Sequence, residues 1–168
     1  MTGAARAVMG ELPIKLAKPV SVVYGQELRE GVHAGTDVRR RRIVLHKSLA
    51  GNAAEFRRIL IHELFHLAWV RLSNQTRWSW EQLLVEELKR RARGELGWSA
   101  ELRKRDLRLE DWAERTKRWR EYACESFCDT AAWQWSGLAT HEEFTLAATH
   151  RKRRKHWLEG ICTGGVKV

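Results

Sequence analysis

Ile59-Leu60-Ile61-His62-Glu63-Leu64-Phe65-His66-Leu67-Ala68-Trp69-Val70 is the stretch on which the reading of this chain turns. It is apolar nearly all round at helical period, so it predicts a buried helix. Two histidines four positions apart on a helix project from one face, one turn above the other, and both rings can reach a single ion. His62 and His66 have that spacing. Glu63 lies about 100° round the helix from His62. That places it near a metal-bound water and out of line as a ligand, which suits a general base. Three ionisable groups in an apolar helix are costly unless paired or bound to a metal.

Working outward, Asn52-Ala53-Ala54-Glu55 has a capping side chain followed three residues later by Glu, and predicts a helix start there, with the helix running to about Asn74. Before it, Arg42-Ile43-Val44-Leu45-His46 alternates and predicts a strand with Ile43 and Leu45 inward. Val20-Ser21-Val22-Val23-Tyr24, stopping at Gly25, predicts another, and Gly31 and Gly35 mark loop. Residues 1–19, broken by Pro13 and Pro19, read as an irregular lead-in or short helix.

From Asn74 to Thr116 the chain is rich in Glu, Arg and Leu, with Gly94 and Gly97 as breaks and Ser79–Gln82 as a second capping box, so a helical hairpin is expected. The next helix runs from about Leu109 or Trp112 to Gln134, closed by Ser136-Gly137. After His141 a short helix should end before Gly160.

A zinc site of this type needs a third protein ligand and a position for water. Gly at 69 and His at 72 would extend the motif, but Trp69 and Leu72 stand there. Glu121, Glu125 and Asp129 instead line one helical face in Glu121-Tyr122-Ala123-Cys124-Glu125-Ser126-Phe127-Cys128-Asp129. A cation opposite three stacked acids gives the arrangement a physical reason. Glu125 is the chosen third ligand, with Glu121 left open, and Asp129 is placed to accept the other ring proton of a ligating histidine. Tyr122, His141 and His150 are candidate oxyanion donors.

The H-E-x-x-H motif with its later E-x-x-x-D resembles the gluzincin class of zinc metallopeptidases, and the strand running into a capped helix resembles the minimal gluzincin core of SprT-like and ImmA/IrrE-like proteases. The resemblance implies an α+β, zincin-like fold. Its parts would be a small twisted sheet, an active-site helix, a second metal-ligand helix and a helical insertion at about 75–110 between them. It also implies Zn2+ held by His62, His66 and Glu125, with Glu63 activating water and Asp129 supporting a histidine. Arg42–His46 would be an edge strand that aligns a peptide or protein substrate.

Composition sets the wider bounds. The chain has 168 residues, 43% hydrophobic and 31% charged, with nine Trp, which suits one globular domain. No apolar run is long enough for a bilayer and Met1–Gly10 does not read as a signal peptide, so a cytoplasmic protein without a membrane partner is expected. Cys124, Cys128 and Cys162 read as free thiols; the first two, as soft ligands, would compete with Glu125 for the same ion.

The net charge is +10. With the basic clusters Arg39–Arg42, Lys89–Arg93 and Arg151–Lys155 it allows a nucleic-acid partner. A zinc-binding regulatory or partner-binding module without activity, or a nucleic-acid-associated protein with structural zinc, is the competing reading. The tryptophans near the insertion, including Trp78, Trp80 and Trp98, suggest packing, and the insertion itself is expected to act as a lid.

Overall fold

Five strands and six α-helices build the α+β fold in the described residues of the computed structural model, residues 2–25 and 33–168. Gly31, read as loop, lies outside the described residues. Strand β2 (Ser21–Gly25) runs parallel to β4 (Arg42–His46), and β3 (Ala34–Asp37) runs antiparallel to β4 on its other side. The order β2-β4-β3 puts Arg42–His46 in the middle. The expected edge strand is therefore the central one, and β3 takes the edge. Gly35, read as loop, lies inside β3.

Alternation does hold on β4, where Ile43 and Leu45 are buried and their neighbours are not. Arg41 turns the chain between β3 and β4 with φ 52°, and its guanidinium donates to the Lys18, Pro19 and Val168 carbonyls.

Helix α2 (Ala53–Trp69) starts where the cap predicts, with Asn52 Oδ1 accepting from the Glu55 amide at 3.1 Å. It buries Phe56, Leu60, Ile61, Leu64, Phe65 and Leu67 between the sheet and helix α5 (Lys117–Trp135). It ends at Trp69, not at Asn74. Ser73 Oγ accepts from the Thr76 amide and opens a new helix, α3 (Asn74–Lys89). Ser79, expected to cap, lies inside α3, where its hydroxyl donates to the Thr76 carbonyl.

Helix α4 (Trp98–Arg105) completes the expected hairpin. Helix α5 begins at Lys117 behind its Thr116 cap, several residues later than expected, because Asp111 ties residues 108–118 into a turn by accepting from the Arg108 amide, the Thr116 hydroxyl and Arg118. Helix α6 (Ala148–Cys162) passes through Gly160 and stops before Gly164 and Gly165, both at positive φ. Beyond them β5 (Val166–Lys167) pairs in parallel with β1 (Ile14–Lys15), after the N-terminal helix α1 (Gly3–Glu11).

The first half of the expected lid, α3, is part of the core. Trp80 and Leu84 of α3 are fully buried, and Trp80 Nε1 donates to the Ala123 carbonyl of α5 at 2.9 Å. A buried charge network fastens the same region. Arg154 of α6 bridges Glu87 of α3 (2.6 Å) and Glu95 (2.6 Å), while Tyr122 and Lys104 donate to Glu95 at 2.6 and 3.0 Å. Burial alone would raise the Glu95 pKa, but Arg154 outweighs it and, with Lys104 and Tyr122, brings it to about 2.

Candidate metal centre

Helices α2 and α5 run antiparallel, so His62 faces Asp129 and His66 faces Cys124 and Glu125. Glu125 Oε2 lies 3.2 Å from His62 Nε2 and 3.8 Å from His66 Nε2, and the two Nε2 atoms are 3.2 Å apart. The three side chains have their ligating atoms within 4.8 Å of one another. Glu121 is apart from them, half exposed and 3.6 Å from Lys117. Of the two glutamates left open by sequence, it is Glu125 that the fold brings to the histidines.

Each ring is held from behind. Asp129, almost fully buried, accepts from His62 Nδ1 at 2.7 Å, and its other oxygen accepts the Ala100 amide in the first turn of α4 at 3.0 Å. This fixes the tautomer: with Nδ1 protonated, the His62 lone pair on Nε2 points at the shared space. A Cβ on Gly97 would stand 2.2 Å from the Asp129 carboxyl carbon, so only glycine lets α4 approach so closely. Cys124 Sγ lies 3.4 Å from His66 Nδ1. Arg103 of α4 contacts the second oxygen of Glu125 at 3.1 Å.

The electrostatics favour positive charge in this space. Burial opposes protonation of His62, but Asp129, Glu125 and Glu63 together raise its pKa well above the ordinary value. Burial likewise pushes Glu125 up, yet His62, His66 and Arg103 bring it down to about 2. Two imidazole nitrogens and a carboxylate oxygen converging with ring protons directed outward are a donor set that fits a divalent cation such as zinc.

Glu63 is buried, and its Oε2 accepts from the Thr36 hydroxyl of β3 at 2.6 Å. It borders, with His62, a cleft of about 440 Å³ between β3, α2 and α4, to which Ala34, Ile59, Trp98 and Leu102 also contribute. A larger cavity of about 590 Å³ shares Trp98 and Glu143 with it and leads away towards Arg93 and Arg105. His62, Glu63 and Asp129 line the smaller one and not the larger.

The three expected oxyanion donors lie against other acidic residues. Tyr122 is fully buried on Glu95, His141 pairs with Glu55 at 2.9 Å, and His150 lies 3.8 Å from Glu87. Thr36, Gly97 and Arg103 were missed by sequence reasoning. The glycine alone carried a signal, as a break before a helix.

No family model, no curated protein and no solved structure matches this chain. Among the described residues, no helix is long and apolar enough to cross a membrane.

Proposed function

We propose that the chain is a zinc metallopeptidase of gluzincin type, with a zincin-like core in which α2 is the active-site helix and α5 the second ligand helix. The observation that carries this reading is the convergence of His62 Nε2, His66 Nε2 and Glu125 Oε2, with Glu63 beside them at the edge of a cleft. His62, His66 and Glu125 would hold the ion. Zinc bound there would polarise water and a substrate carbonyl and lower the water's pKa towards neutrality.

The chain's own groups do the rest. Glu63, its orientation fixed by the Thr36 hydroxyl, takes the proton from the attacking water and delivers it to the leaving amine. Asp129 keeps His62 in the tautomer that presents Nε2. The outer edge of β3, unpaired among the described residues, offers backbone groups to an extended peptide. Trp98 and Leu102, both exposed at the cleft, receive an apolar side chain of that peptide.

The test is elemental analysis and peptide hydrolysis on one set of proteins. Wild type and Glu121→Ala should hold one zinc per chain and cleave unstructured peptides. Glu125→Ala should lose the zinc, and Glu63→Gln should keep it while losing activity. Equal zinc in Glu125→Ala and wild type would remove Glu125 from the ligand set, and full activity in Glu63→Gln would remove the proposed base.

A further inference from the structure

His66, Cys124 and Cys128 form a second cluster, whose ligating atoms also lie within 4.8 Å of one another. The cysteines stand at i and i+4 on α5, the same spacing that lets His62 and His66 converge from α2. Cys128 is fully buried and Cys124 partly so, and both are free thiols. By sequence these sulfurs compete with Glu125 for one ion. In the structure Cys124 approaches a different atom: Glu125 faces His66 at Nε2, whereas Cys124 Sγ lies 3.4 Å from Nδ1.

We infer that His66 Nδ1, Cys124 Sγ and Cys128 Sγ form a second site for a thiophilic d10 cation softer than zinc, Cd2+ or Cu+, alternative to the nitrogen and oxygen site. The sulfur cluster stands on its own geometry; only the identity of the competing site rests on the proposed function. Soft thiolates select such cations, and each thiol releases its proton to solvent as its sulfur binds. A neutral imidazole has one lone pair and one N–H. When His66 binds through Nδ1, its Nε2 carries the proton, 3.2 Å from His62 Nε2, and has no lone pair for the first site. One ring therefore serves one site at a time, and a soft cation on the sulfurs withdraws a ligand from the peptidase centre.

The experiment titrates the reduced, chelator-treated full chain with Cd2+ and follows the thiolate-to-cadmium charge-transfer absorption in the ultraviolet. The band should saturate at one cadmium per chain in wild type, Cys162→Ala and Glu125→Ala, and vanish in Cys124→Ala/Cys128→Ala. Cys124→Ala, altered at the less buried sulfur, should lose most of the band and serves if the double variant does not fold. In zinc-loaded wild type, the band should grow as zinc is released in equal amount.

A wild-type chain without the band, a band that persists in the double variant, or zinc and cadmium held together at full occupancy would overturn the inference. A full cadmium band in a wild-type chain that never binds zinc at its nitrogen and oxygen donors would refute the peptidase reading and leave the sulfur site standing.

Discussion

Asp129 occupies the space that a side chain on residue 97 would need. Gly97→Ala should therefore push the carboxylate off His62 Nδ1 and the Ala100 amide without touching any ligand. Loss of such an outer contact weakens metal binding by about 10–100-fold. Competition with a chromophoric chelator measures this, and unchanged affinity would mean that Asp129 does not govern the ring. The convergence of His62 and His66 was legible in the sequence, because i, i+4 spacing on an apolar helix fixes where the two rings point. Thr36 and Arg103 were not, since a hydroxyl in a short strand and one arginine among many carry no periodic signal. That Tyr122, His141 and His150 all turn to acidic residues outside the site was equally hidden, because Glu95, Glu55 and Glu87 come from distant segments.

At the scale of elements, the capped start of α2 and the inward face of β4 follow from local rules, and both are seen. The break between α2 and α3 has no glycine or proline, only the Ser73 cap, so the first helix reads on to about Asn74. Strand β3 is Ala-Gly-Thr-Asp, which has neither alternation nor bulk, and its place at the sheet edge comes from pairing with β4. The tryptophans suggest packing, and Trp80 is fully buried, which sets α3 into the core and not over the site. Deletion of residues 76–108 should abolish cooperative folding, as a thermal melt would report. Trp80→Ala should cost about 3–5 kcal/mol in denaturant unfolding. A folded, zinc-binding deletion variant would restore the lid.

Across the whole molecule, charge is distributed less simply than composition suggests. Arg154, in the run Arg151–Lys155, is fully buried on Glu87 and Glu95, and Arg41 holds three backbone carbonyls, so two of the three basic clusters give an arginine to the scaffold. No linear reading of charge reveals this.

The network has a pH signature. Glu95 is ordinarily near 4.5 and is held at about 2 when folded. A depressed folded value means stability that is complete above the unfolded pKa and is lost as pH falls from 4.5 towards 2. The loss should be on the order of 3 kcal/mol and be missing in Glu95→Gln. Equal acid sensitivity in both proteins would assign the effect to other carboxylates. Arg154→Met should destabilise at neutral pH by about 3–5 kcal/mol, because two buried carboxylates lose their partner.

Zinc-edge X-ray absorption on the chain loaded with one equivalent of zinc tests the centre most directly. Two imidazoles with only oxygen donors besides them should surround the ion, and the same shell should be seen in Cys124→Ala/Cys128→Ala. A sulfur shell at full occupancy, fewer than two imidazoles, or no bound zinc would contradict a centre built from His62, His66 and Glu125.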